Sequence, residues 1–211
     1  MNKKIEEIIK NHDPVSIFLY GSKARGDDLP GSDLEIGAFT KGKKPQDSKA
    51  FYFDLKEFKK EEIDTPFPTD IYFRELSLSG KTVYGKRVVE EFTPPPIKVN
   101  SLLERINFDC ATALYGFKLQ KRELFYKATL FGVRNLIILK TGKFPIRYED
   151  ISKTAAILDL GEFNSLPKKA LKTRMGDYKP KRKDFLESIT LTNNLIRKRI
   201  KKEDKDKIII E

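Results

Sequence analysis

The stretch from Phe18 to Phe39, FLYGSKARGDDLPGSDLEIGAF, holds the residues whose types and spacing could do chemistry. A short apolar run rich in β-formers, Val15 to Tyr20, stops at Gly21-Ser22, where a helix is expected to start at once. A glycine there lets the backbone approach a ligand closely. The amides that follow, the helix N-terminus and the Ser22 hydroxyl then face an anion. Arg25, one turn further, brings a forked guanidinium suited to phosphate oxygens. A Gly-Ser turn alone is common in proteins that bind no phosphate, so the next element carries the weight. Asp33-Leu34-Glu35-Ile36 is expected in a strand, where residues two apart share a face. Asp33 and Glu35 then project side by side while Leu34 and Ile36 face the core. Two like charges that close are costly unless a cation lies between them, and oxygen-only donors select hard cations such as Mg²⁺.

Positioning these groups takes at least two strands and a turn, and a third strand is expected at Ile71 to Phe73, entered from a loop punctuated by Pro66 and Pro68. Ile5, Ile8 and Ile9 recur at helical spacing, and Phe51, Leu55 and Phe58 fit an amphipathic helix at i, i+4, i+7. Pro94-Pro95-Pro96 can continue neither a helix nor a central strand. Beyond it the period turns helical: Leu103, Ile106, Cys110, Ala113 and Phe117 share a face, and Leu124 to Leu139 is apolar nearly all round, as in a central helix. Further helices are expected over 149–160, 165–175 and 181–203. The predicted class is α+β, a small mixed-sheet unit followed by an all-α bundle. The boundaries are residues 1–93, a Pro-rich linker 94–99, the bundle 100–203, and a tail 204–211 in which Ile208 to Ile210 could dock.

The string Gly21-Ser22, ten residues, then Asp33-Leu34-Glu35-Ile36 resembles the nucleotidyltransferase pattern of the DNA polymerase beta superfamily, and GSKARGDDLPGSDLEI resembles its minimal nucleotidyltransferase branch. The resemblance covers about the first 90 residues. Its one departure is Glu35, where Asp is more usual, although the pattern accepts either. It implies a mixed sheet flanked by helices and two Mg²⁺ ions held by three carboxylates on neighbouring strands. Asp70, within Thr69-Asp70-Ile71-Tyr72-Phe73, fits the third carboxylate best, with Asp64 and Glu75 as competitors. Ser79 to Tyr84 looks like the helix-to-strand return that follows the third acid in this branch. The resemblance further implies that ATP or another nucleoside triphosphate lies over Gly21 and Ser22, assisted by Arg25. Asp33, Glu35 and Asp70 would be the catalytic and metal-binding acids, and a nucleoside monophosphate, AMP by expectation, would pass to a hydroxyl of a protein, an RNA end or a small molecule.

The helical half is broadly similar to bundles of the HEPN and kanamycin-nucleotidyltransferase type, which makes it the candidate acceptor-binding region. HEPN ribonuclease chemistry needs a histidine close to an arginine in the bundle, and the only histidine, His12, lies outside it. Arg134 and Lys140 sit on the otherwise apolar central helix, either paired internally or turned to a cleft. Tyr115, Tyr126 and Tyr148 could stack on a base or fill the core. An antitoxin-like or nucleic-acid-binding module that retains the fold is the alternative reading.

Composition bounds the rest. The 211 residues carry a net charge of +11, with 39% apolar and 35% charged residues, which excludes a disordered chain. The single cysteine excludes an internal disulfide. It agrees, together with an N-terminus lacking an apolar signal core, with a cytoplasmic location. No run approaches the roughly 20 apolar residues of a membrane span. Residues 1–96 carry a net charge of −1 and residues 97–211 carry +12. This asymmetry permits an anionic acceptor such as RNA. Equally, abundant Lys and Glu with few Gln and no Trp is what a thermophile's surface looks like.

Overall fold

The computed structural model describes residues 2–42, 44–65, 67–203 and 207–209. They form an α+β architecture of two compact units, Met1–Pro95 and Pro96–Glu211. The first is built on a four-stranded mixed sheet. Its strands are β1 (Ser16–Tyr20), β2 (Glu35–Thr40), β3 (Phe51–Asp54) and β4 (Lys81–Gly85), in the order β3-β2-β1-β4. β1 runs antiparallel to both β2 and β4, and β2 is parallel to β3.

Alternation along the strands makes two cores, one per face. On one face Ile17, Ile36, Ala38 and Tyr52 pack under Ile5 and Ile8 of helix α1 (Lys3–His12). On the other, Phe18, Phe39 and Phe53 pack with Phe58 of α3 (Leu55–Lys59) and with Phe73 and Leu76 of α4 (Thr69–Ser79). Helix α2 (Gly21–Arg25) follows β1 without a linker, and α5 (Val88–Glu91) adds Val89 to the second core.

Two expected elements are exchanged. Phe51 to Asp54 is a strand where the spacing predicts an amphipathic helix, and the helix there begins only at Leu55, capped by Asp54 accepting from the Lys56 and Glu57 amides at 2.9 Å. The expected third strand, Ile71 to Phe73, is instead the first half of α4. The reason is tertiary. Parallel pairing of Ala38 with Tyr52 and Phe39 with Phe53 sends two consecutive aromatics into opposite cores, which only an extended chain can do. Phe73 and Leu76, three apart, then both reach the second core from a helix. β2 is also shorter at its start than expected: it begins at Glu35, and Asp33 lies in the loop just before it.

The second unit is helical: α6 (Val99–Leu119), α7 (Arg122–Thr141), α8 (Tyr148–Thr154), α9 (Leu166–Met175), α10 (Arg182–Thr190) and α11 (Arg197–Lys201). The segment Leu191–Ile196 joins α10 to α11 as a π-helical insert, where the Thr192 hydroxyl donates to the carbonyls of Ser188 (2.9 Å) and Ile189 (3.2 Å). β5 (Ile97–Lys98) pairs antiparallel with β6 (Ile208–Ile209), so that part of the expected tail is docked; residues 204–206, 210 and 211 lie outside the described set. No described helix is long and apolar enough to cross a membrane.

α7 is buried nearly all round, and Arg134, 1% exposed, lies inside the unit with its guanidinium 4.6 Å from the Phe131 ring centroid and 4.7 Å from that of Phe144. Its charge is met by Asp109, which forms an ion pair with Arg105, Nε lying 3.3 Å from Oδ1, and accepts from Asn135 Nδ2 at 3.0 Å. Burial pushes the Asp109 carboxyl up to about 6, against the pull of Arg105 and Arg134. Asp109→Ala leaves two buried guanidiniums without their shared carboxylate and is expected to cost about 3–5 kcal/mol in denaturant unfolding. The folded pKa is raised, so the stability this group contributes is complete at low pH and lost as pH rises through about 6. Wild-type stability is therefore expected to carry a downward component between about pH 4 and about pH 6 that the variant lacks.

Candidate active site

The site grows from one register. Tyr20, the last residue of β1, pairs with Glu35, the first of β2, so whatever follows Tyr20 lies against whatever precedes Glu35. Gly21 follows, at φ +72, and a Cβ built there would fall on the Glu35 carboxylate. Glycine is thus required twice over, by its left-handed backbone and by contact with the acid. Ser22 and Arg25 lie on α2, and Gly26, also left-handed, ends the helix after one turn.

Arg25 is largely buried. Its Nε donates to Asp27 Oδ1 at 3.1 Å, and Nη1 reaches Glu75 Oε1 of α4 at 3.5 Å. Glu35 is also neighboured by Tyr20 and, from α4, by Tyr72. Burial pushes the Tyr20 hydroxyl up to about 12, with the Glu35 charge adding to it. The Tyr72 hydroxyl is raised by burial first, then by Tyr20, Glu75 and Glu35. Asp33 and Glu35 are both exposed.

Gly21 therefore lies against Glu35, Ser22 and Arg25 follow it on α2, and Asp33 stands two residues from Glu35 on the incoming loop. Asp70 is not on a neighbouring strand. It sits in the first turn of α4, largely buried, with Oδ1 accepting from the Ile71 amide at 2.8 Å. Glu75, also on α4, reaches Arg25. Among the described residues no three His, Cys, Asp or Glu side chains are grouped so as to hold a metal ion. The donors present fit a different arrangement: Mg²⁺ keeps one or two carboxylates and completes its shell with phosphate oxygens and water, which Asp33 and Glu35 can supply without a third acid.

Tyr20, Tyr72 and Asp27 are neighbours of the site that residue types and spacing do not single out. The one signal in the sequence is that Tyr20 directly precedes the Gly-Ser turn. At the other end of β2 and β3 lies a cleft of about 800 Å³ lined by Lys41, Lys44, Lys56 and Lys60 with Asp54, Glu57 and Glu62. Its charges partly neutralise one another, Lys44 meeting Glu57 at 2.6 Å. Lys140 is exposed and donates to the Ile157 carbonyl at 3.0 Å, while Tyr126 and Tyr148 are buried beneath the Arg174 guanidinium.

The first strand of the mixed sheet thus ends in a Gly-Ser turn packed on Glu35, the first residue of the second. The family model described as nucleotidyltransferase domain matches residues 2–94. No match among curated proteins reaches significance. Among solved structures, spectinomycin adenyltransferase from Enterococcus faecialis, determined with ATP and spectinomycin, superposes with a TM-score of 0.51 at 14% identity, covering 94% of this chain and 97% of the other. That likeness is one of fold, sheet unit and helical unit together. Residues 2–94 therefore match the nucleotidyltransferase domain, and a helical region follows it in the chain.

Proposed function

We propose that the protein transfers a nucleoside monophosphate, from ATP or another nucleoside triphosphate, to a hydroxyl acceptor with the help of Mg²⁺. One observation carries the reading: the Tyr20–Glu35 register sets the Gly21-Ser22 turn directly against the acidic strand. Triphosphate oxygens over that turn would meet backbone amides and the Ser22 hydroxyl, and Arg25, held by Asp27 and Glu75, would complete the pairing of their charge. Asp33 and Glu35 would hold the divalent ion, which when bound neutralises the phosphates and stabilises the departing pyrophosphate. Asp70, at the start of α4, would position the acceptor hydroxyl and accept its proton. Glu75 would act one step away, by holding Arg25 over the turn.

Incubation of the protein with labelled ATP or CTP, Mg²⁺ and host lysate tests the reading, with label followed into protein, RNA and small molecules. Label in none of these fractions overturns it. The two α4 acids separate in the same assay. Asp70→Asn is expected to lower the labelling rate at saturating nucleotide by about 10²-fold or more, as for loss of a positioned general base. Glu75→Gln is expected to raise the nucleotide concentration needed for half-maximal labelling by about fivefold and to leave the saturated rate nearly unchanged. The opposite split would move the third acid to Glu75.

A further inference from the structure

Two basic segments remote in sequence, 118–122 and 179–183, meet at one end of the helical unit. α10 begins beside the end of α6, so that the Arg182 guanidinium lies 4.8 Å from the Phe117 ring centroid. Phe185 packs on Phe125 at the start of α7, 5.3 Å between centroids. The loop leading into α10 is fastened from beneath by the buried carboxylate of Asp184. Its Oδ2 accepts from the Tyr178 hydroxyl (2.6 Å) and the Lys181 amide (2.7 Å), and its Oδ1 from Lys169 Nζ of α9 (2.9 Å). Lys118, Lys121, Arg122, Lys179, Lys181 and Arg182 are all exposed on this end. Among the described residues no carboxylate lies within ion-pairing distance of any of the six.

The acids nearby are engaged elsewhere. Glu123 meets Lys127 at 2.6 Å, with the Lys121 charge acting on it more weakly, and Glu187 meets Lys169 and Lys183 at 3.5 Å, which leaves Asp177 as the exposed acid of the loop. A thermophile-type surface disperses its lysines into ion pairs, as Lys153–Glu149 and Lys207–Glu203 do in this unit. An unpaired cluster instead costs folding energy through repulsion, which a polyanion would relieve. Tyr115, 62% exposed, lies one turn before Lys118 on the same side of α6. An exposed ring beside a lysine is a combination that takes a base by stacking while a phosphate pairs with the cation.

We propose that this end of the helical unit, formed by the α6–α7 turn and the start of α10, is a docking surface for single-stranded nucleic acid. The inference stands on the helical unit alone and does not depend on the transfer reaction.

The test is fluorescence anisotropy of the whole chain, without nucleotide, against a labelled oligouridine of about 20 nucleotides. Binding is expected to weaken with salt at a log–log slope of about −4, from six cations at about 0.7 per phosphate on a single strand. The triple variant Lys179→Glu, Lys181→Glu, Arg182→Glu is expected to lose at least about 30-fold in affinity, and the triple Lys118→Glu, Lys121→Glu, Arg122→Glu a similar amount. A control of equal charge in the first unit, Lys56→Glu, Lys59→Glu, Lys60→Glu, should change it less than about threefold. Tyr115→Ala should weaken single-strand binding about tenfold and leave duplex binding unchanged. A matched oligothymidine separates RNA from DNA as the preferred strand, either result supporting the surface. Absence of binding at about 50 mM salt, or equal loss in the control triple, overturns the proposal. So does binding to phosphatidylserine vesicles, sensitive to the same triples, with no binding to either oligonucleotide.

Discussion

Asp33→Ala is expected to abolish nucleotidyl transfer while the protein remains folded. The side chain lies exposed in the loop entering β2 and contributes to neither core of the sheet, so its removal should change unfolding free energy by no more than about 0.5 kcal/mol. Its effect on transfer should be far larger. Removing one of two hard oxygen donors leaves Glu35 alone to bring a cation to the triphosphate. A loss of about 10³-fold or more in labelling rate corresponds to about 4 kcal/mol of transition-state stabilisation. Thermal unfolding checks the first half of the expectation and label transfer from nucleoside triphosphate the second. A folded variant that still transfers label would remove Asp33 from the site.

Gly21→Ala is the second large effect, and it has a different signature. Alanine at φ +72 is strained, by about 1–2 kcal/mol. Its methyl group would also occupy the space of the Glu35 carboxylate, which has to move away. We therefore expect both a measurable loss of stability, about 1–3 kcal/mol, and a loss of transfer as deep as that of Glu35→Ala. The two positions should be coupled. In the double variant Gly21→Ala, Glu35→Ala the clash is gone and only the backbone strain remains. Its destabilisation should then be smaller than the sum of the single variants by roughly 0.5–3 kcal/mol. Additive effects in denaturant unfolding would show that the turn and the acid are independent.

Much of this site is legible in the amino-acid sequence. Gly21-Ser22 and Glu35 carry it because their relation is local: one antiparallel pairing, Tyr20 with Glu35, converts a spacing along the chain into a contact. β1 and α7 are equally readable, since each has an unbroken apolar pattern of one period, while the expected helix over 181–203 is interrupted by the π-helical insert at Leu191–Ile196. The failures sit where periods compete. Phe51, Leu55 and Phe58 match a helix and Ile71-Tyr72-Phe73 match a strand, yet Phe51 begins a strand that ends before Leu55 and Ile71 to Phe73 are helical, because the partners lie elsewhere in the chain, in β2 for the first and Phe58 and Val89 for the second.

Residue types and spacing thus set a Gly-Ser turn and two acids within one segment, and the family resemblance they carry implied the reaction class. They also determined that the second half is helical and basic. Only the tertiary structure decided which acids and cations face one another. It placed Asp70 at a helix start and Glu75 against Arg25, because α4 is a helix, in which residues five apart point about 140° away from each other. It enclosed Arg134 beside Asp109, and it gathered Lys118 and Arg182, remote in sequence, onto one end of the helical unit. Such pairings depend on packing between distant segments, and no local periodicity encodes them.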